Sequence, residues 1–530
     1  MEFVRIGIIQ DSDDPYAGWY AEVLAHAGLR ATSVSEFTYD GFSKFDILLF
    51  CGRGTFHDQE LIGRWLSDAR RSIVVSGGSW ELEKLLGIKA DPLRFSSGQI
   101  APSEAVVWPD GAPSAIFFGG CKAHTTQAQA LATTTDGHLA VSRNGSAWLV
   151  SPHVGQTMAF LQMGTSVEAH GVGPSDGSAQ WDEGPLRAEF GSRLGFEARQ
   201  DGLFQVPHAD IVREMWIRTV LEAIAATGKR AAILWHLPGG ATHAGLLSLD
   251  CDINNPSILF QLNSALSMTG SKATFLSRGA SFPPEIYGWM RQTGHEVGLS
   301  FHEGWRPERA RLAITNLTRI AGGQVLTAAI ARGAWLGFSQ PYEAFAQAGV
   351  HAVLGKGGTE RGTAGFIFGS SHPFIARPTS AYEIPFQSFG GNWDERVINP
   401  TKKRYGVIHS MLPLSMVQEA DGFAGLKRWV SLVKQSGGDY FTAERLIEFE
   451  RARRGANLVQ ERGNQFVLEA DAPMGTATVL VTGRDLVAES GRKAPQLVTR
   501  YGKEFTAITL EMGDSKSGAF LLHEEDRKAA

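Results

Sequence analysis

The stretch LLSLDCDINNPSILFQLNSALSMTGSKATFL, residues 246–276, decides the fold class of the middle of this chain. Leu246–Leu249 is a continuous apolar run and reads as a strand. Ser257–Met268 carries apolar residues at helical spacing, and Ala273–Leu276 returns to a short apolar run. Strand, helix and strand in succession indicate a parallel pair with a crossover helix. The pattern continues downstream. Glu285–Thr293 reads as a helix, Glu296–Phe301 as a strand and Pro307–Ile320 as a helix. Ala329–Arg332, Tyr342–Ala348, Ala352–Leu354 and Gly406–His409 extend the alternation, and Gly422–Ser436 and Thr442–Arg453 close it. The span is roughly 210 residues, the size of a (β/α) barrel or a distorted form of one.

Upstream lies a second α/β pattern. Val4–Gln10, Asp46–Cys51 and Ser72–Ser76 are apolar strand-like runs, with helical spacing in Ala17–Ala27 and Asp58–Ala69 between them. The last two runs end directly in glycine, at the sheet edge where parallel α/β folds bind ligands. Ala115–Phe118, Ala147–Ser151 and Thr157–Gln162 are expected strands, Gly171–Glu189 a long loop and Ala209–Thr227 a closing helix. The Pro-Gly-Gly within Trp235–Thr242 marks a boundary. After residue 455 the chain reads as short β-rich runs separated by Gly, Asp and Ser, an all-β signature expected to form a small sandwich. The expected domains are therefore residues 1–230, 231–455 and 456–530.

The composition is that of an ordinary globular protein. Of 530 residues, 43% are hydrophobic and 20% charged, and the formal net charge is −5 with no long run of one sign. That excludes the clustered Lys and Arg of a nucleic-acid footprint. Cys51, Cys121 and Cys251 are too few, and odd in number, for a disulfide framework. The N-terminus lacks the charged and apolar regions of a signal peptide, and no apolar stretch reaches membrane-spanning length. A soluble, cytoplasmic protein is expected.

Four features fall at strand ends of the central unit. In Ser248-Leu249-Asp250-Cys251-Asp252, residues i and i+2 of a strand share a face, so Asp250 and Asp252 are expected to project together. Two adjacent carboxylates call for a cation or a shared proton. Asp252 is equally suited to capping the following helix or to an Asx turn through Asn254-Asn255-Pro256. Gly294-His295-Glu296-Val297-Gly298-Leu299-Ser300-Phe301-His302 offers an imidazole at the same rim, and His with Asp suits zinc. Arg332 in Ala331-Arg332-Gly333-Ala334-Trp335 would hold Asp250 ionised. His409 ends an apolar run and is a candidate acid near neutral pH. Trp305, Trp335 and Trp393 near the rim could stack on sugar faces.

The order and spacing of these pieces resemble NodB-like polysaccharide deacetylases over residues 246–454. SLDCD is similar to the family's aspartate motif in a DxD variant. ATFL resembles its second strand, GHEVGLSFH its histidine motif and RGAW its arginine motif. EIPF (Glu383–Phe386) and VIH (Val407–His409) resemble its last two motifs, and YFTAERLIEFERARR its closing strand and helix. The resemblance implies Asp250 as general base, Arg332 as its tether, Asp252 and His302 as ligands of a divalent metal such as zinc, and His409 as general acid. The implied substrate is an acetylated glycan or a related amide.

One departure bears on this. The family places two metal histidines four residues apart, and here those positions hold Ser300 and Gly304, with His302 between them. The chain is thus expected to be a metal-dependent deacetylase or, alternatively, a catalytically degraded carbohydrate-binding or scaffold protein. More faintly, the N-terminal unit resembles a flavodoxin-like, glutamine-amidotransferase-like domain. Its nucleophile elbow reads Val75-Ser76-Gly77-Gly78-Ser79-Trp80, without a cysteine, and Cys51 lies outside that frame.

Overall fold

The computed structural model describes residues 2–163, 206–302, 306–330, 340–354, 365–366, 369–377, 379–389, 395–419, 422–462, 464–483, 486–489 and 494–524. The chain forms two compact units. One comprises residues 1–159, 211–240 and 449–530, the other residues 160–210 and 241–448. No helix among the described residues is long and apolar enough to cross a membrane.

The first unit is built on a seven-stranded sheet. Its strands lie in the order Ala31–Ser33, Ile6–Gln10, Ile47–Cys51, Ser72–Ser76, Ala147–Val150, Leu139–Asn144 and Gln129–Thr133. The first four pairings are parallel and the last two antiparallel. Every residue of Ile47–Cys51 and Ser72–Ser76 is buried, as expected of central parallel strands covered on both faces. Two antiparallel hairpin pairs, Ile88–Arg94 with Cys121–Thr125 and Ser97–Ile100 with Ala115–Phe118, are inserted before the last three strands.

Thr157–Gln162, expected as a strand, lies instead within the helix Val154–Met163. Buried Val154, Met158 and Leu161 recur there at four and three residues. A short apolar run supports either state when read alone.

The C-terminal residues group with the first unit. Gly475–Thr482 pairs with Ala232–Leu234 in one four-stranded sheet, and Asn457–Arg462 belongs to a second. Phe466, Leu468, Val479, Ile508, Leu510 and Phe520 bring both sheets into one apolar cluster. The main-chain pairing at Ala232–Leu234 ties this β region to the N-terminal part of the chain.

The second unit carries a mixed α/β sheet curled into a half-barrel. Its strands lie in the order Phe374–Ile375, Tyr382–Ile384, Ala352–Leu354, Thr327–Ile330, Glu296–Phe301, Thr274–Ser277, Ala244–Cys251, Val407–Pro413 and Ser388–Phe389, with Asp439–Phe441 also beside Ala244–Cys251. All pairs are parallel except the Phe374–Ile375 edge. The crossover helices start where the sequence marks them. Asn255 accepts the Ser257 amide at 3.1 Å and Pro256 takes the first turn, while Pro284 and Pro307 open two further helices. Pro307–Ile320 buries Ala310, Ile314 and Leu317, spaced four and three residues apart on one stripe.

Candidate functional site

Asp250 sits one residue from the end of Ala244–Cys251. Its strand neighbours in register are Leu276 on one side and Pro413 on the other. It is 8% exposed. The next strand ends at Ser277, so Arg278 is the first residue above that row. Arg278 Nη2 donates to Asp250 Oδ2 at 2.8 Å and Nε to Oδ1 at 3.4 Å. Tyr287 braces this loop: its hydroxyl is 2.7 Å from Ser277 Oγ and accepts the Phe282 amide at 3.1 Å.

His302 approaches from the end of Glu296–Phe301. Its Nε2 is 2.7 Å from Ser300 Oγ and 3.6 Å from Asp250 Oδ1. Burial pushes the Asp250 carboxyl upward, but His302 and then Arg278 outweigh it and hold Asp250 below the ordinary aspartate range. The result is an ionised carboxylate between a guanidinium and an imidazole at the C-terminal end of its strand.

Asp252 does not share that face. The strand ends at Cys251, and the Asp252 amide turns back onto the Asp250 carbonyl at 2.9 Å. This tight turn breaks the i, i+2 alternation. The Asp252 carboxylate instead accepts the Ser415 amide at 2.9 Å through Oδ1 and the Ser415 hydroxyl through Oδ2. It therefore caps the short Leu414–Val417 turn, while Asn255 caps the helix that Asp252 was suited to begin.

His409 lies deeper than its expected place at a strand end. The strand continues four residues past it to Pro413, and in register His409 stands beside Leu246, not Asp250. Both ring nitrogens are engaged. Nδ1 donates to the carbonyls of Pro385 at 3.2 Å and Ile384 at 3.3 Å, and Nε2 accepts from Ser248 Oγ at 2.8 Å. Burial drives its pKa down to about 3, so the ring is neutral near neutral pH. It joins Val407–Pro413 to the end of Tyr382–Ile384 where the sheet curls round. The Gln387 side chain and amide, bonded to the His409 main chain at 2.9 and 3.0 Å, complete that seam.

His295 is likewise internal to the fold. Its Nδ1 accepts the Ala273 amide and its Nε2 donates to Asn263. Arg332, Trp305, Trp335 and Trp393 lie outside the described residues. Arg278, which sequence reasoning did not single out, is an arginine bonded to Asp250 among the described residues. Its signal was available in ATFLSRG, where the arginine follows a strand that must pair beside the Asp250 strand.

The geometry bears directly on a metal. Among the described residues, Asp250, Asp252 and His302 do not bring three ligand atoms within 4.8 Å of one another. His302 faces Ser300 and Asp250, and both Asp252 oxygens are turned to Ser415. A zinc site needs three or four converging ligands about 2.0–2.2 Å from the ion. As they stand, these described residues do not supply that set.

No family model matches the sequence, and no curated protein matches it. Solved structures do resemble it over part of its length. One is a Mycobacterium smegmatis protein assigned as a polysaccharide deacetylase, 15% identical, covering 43% of this chain and 96% of that one with a TM-score of 0.33. The PuuE allantoinase is 12% identical, covering 40% and 91%, with a TM-score of 0.32. A Bacillus anthracis pseudoenzyme of the CE4 family is 12% identical, covering 40% and 66%, with a TM-score of 0.28. At such identities and scores the likeness argues neither a reaction nor a substrate.

Proposed function

We propose that residues 241–448 form a NodB-like deacetylase domain that binds an acetylated glycan, or a related amide, at the Asp250 rim without metal-dependent hydrolysis. One observation carries this reading: the Asp252 carboxylate serves as a cap for Ser415 while His302 is committed to Ser300 and Asp250. The motif order of residues 246–454 supports the domain assignment. Exposed Arg278 and His302, flanking the buried Asp250 carboxylate, supply donors and an acceptor for sugar hydroxyls or an acetamide.

The test pairs binding with turnover. N-acetylglucosamine oligomers are titrated into the full chain by calorimetry, and acetate release is followed with and without added zinc or cobalt. The expected result is binding that weakens in Arg278→Ala, with no acetate above background. Metal-stimulated acetate release that vanishes in Asp250→Asn overturns it.

A second reading, a metal-dependent deacetylase with Asp250 as general base, is favoured by the ionised state of that carboxyl. It requires His302 and Asp252 to leave their present partners.

The N-terminal unit reads as an amidotransferase-like domain without its nucleophile. The order of its five parallel strands is that of flavodoxin-like sheets. Cys51 is fully buried near Tyr20 and Asp14, and burial followed by the Asp14 charge pushes its thiol well above the ordinary range. Such a thiol is inert.

A further inference from the structure

In the first unit, three chain segments bring Asp91, His124 and His138 together, with ligand atoms all within 4.8 Å of one another. His124 Nε2 is 3.3 Å and His138 Nε2 3.6 Å from the same Asp91 oxygen, Oδ2. The two imidazole rings lie 4.8 Å apart, centre to centre. In a tetrahedral zinc site with arms of about 2.0–2.1 Å, neighbouring ligand atoms are about 3.3 Å apart. Both spacings to the shared oxygen are close to one edge of that tetrahedron.

Each ligand is positioned by the main chain. His124 lies on Cys121–Thr125, opposite Lys89 of Ile88–Arg94. The register of that pair shifts between Ala90 and Arg94, and such an irregularity re-aims side chains. Asp91 falls inside it. His138 enters from a turn fixed by Thr134, whose amide bonds the His138 carbonyl at 2.8 Å and whose hydroxyl accepts the His138 amide at 3.0 Å. The Phe95 and His138 rings pack edge to face, with centroids 5.4 Å apart.

The other nitrogen of His138 gives independent support. Nδ1 lies 3.2 Å from Asp136 Oδ2, without a straight hydrogen bond. A carboxylate there favours the proton on Nδ1, the outer-shell arrangement that orients metal-bound histidines. Nε2 faces the same Asp91 oxygen as His124 Nε2.

We propose that Asp91, His124 and His138 bind a divalent transition metal, zinc by preference, with the fourth position open to solvent or to an exogenous ligand. The ligand set of two imidazoles and one carboxylate suits zinc and its first-row neighbours and not calcium or magnesium. This site lies in a different unit from the Asp250 rim and does not depend on the function proposed there.

The test uses the full chain. Zinc is titrated by calorimetry and counted by elemental analysis after gel filtration, in the unaltered protein, in His124→Ala/His138→Ala, in Asp91→Asn and in Asp250→Asn/His302→Ala. One equivalent of zinc is expected in the unaltered protein and in the rim variant. It should be absent from the double-histidine variant and at least tenfold weaker in Asp91→Asn. Cobalt(II) gives a second readout, a visible absorption of four-coordinate metal that disappears with His124→Ala/His138→Ala. No zinc in the unaltered protein, or zinc lost only from the rim variant, overturns the proposal.

Discussion

Replacing His409 with Asn should change how stability depends on pH, on top of a pH-independent loss from the Ser248 bond and the smaller side chain. Asn keeps a donor near Nδ1 for the Pro385 and Ile384 carbonyls but has no titrating group. The folded protein holds His409 at about 3, against an ordinary value of 6.5. A histidine depressed in the fold contributes stability that is complete above pH 6.5 and is lost as pH falls from 6.5 toward 3, because the unfolded chain takes up the proton first. At pH 5 the loss from this residue is about 2 kcal/mol relative to pH 8, and it grows by about 1.4 kcal/mol for each further pH unit down to about 3. His26, His208, His243 and His295 are also depressed by burial, to about 4, 3, 4 and 4. They act in the same direction in both proteins, so subtracting variant from unaltered protein isolates His409. Urea denaturation at pH 8, 7, 6 and 5 supplies the measurement. The advantage of the unaltered protein over His409→Asn should shrink by about 2 kcal/mol between pH 8 and pH 5. A pH-independent difference, or a His409 ring that titrates near neutrality by NMR, would refute the buried, neutral role given to it and restore it as a candidate acid.

Other outcomes follow from the same structure. Glu296 is raised by burial to about 7 although Thr274 and the Glu444 amide donate to it. Its contribution is therefore lost as pH rises from 4.5 through 7, and Glu296→Gln should gain about 3 kcal/mol relative to the unaltered protein between pH 4.5 and pH 8. Asp252→Ala and Ser415→Ala should each cost roughly 1–2 kcal/mol as lost caps, and the double variant little more than either alone. Additive losses in chemical denaturation would mean that the two do not act as a pair. Arg278→Met should raise the Asp250 carboxyl, read by carbon NMR titration. An unmoved titration would mean that Arg278 does not hold the Asp250 carboxyl down.

Much of the second unit was legible because its helices and strands carry period and punctuation. Proline and asparagine mark helix starts at Pro256, Pro284 and Pro307, and Glu296–Phe301 was bounded to the residue. The site was less legible, because its geometry depends on where strands stop. Val407–Pro413 runs four residues further than its apolar core VIH suggested, and that extension buries His409. Ala244–Cys251 stops one residue before Asp252, and a single turn sends that carboxylate to Ser415. Arg278 was missed because its partner lies across a strand pair 28 residues away in sequence. Asp91, His124 and His138 went unremarked for the same reason. They have no spacing that betrays a metal site, and only hairpin register and a distant turn bring them together. The pairing of Ala232–Leu234 with Gly475–Thr482 joins segments more than two hundred residues apart, which no local pattern could announce.

The central claim is that the Asp250 rim is not a metal centre. Its most direct test is zinc titration of the full chain carrying His124→Ala/His138→Ala, beside the same protein with Asp252→Ala or His302→Ala added. The account predicts no tightly bound zinc in any of the three. A stoichiometric zinc that persists in the first and is lost in the other two would contradict it, and would return Asp252 and His302 to the role of ligands.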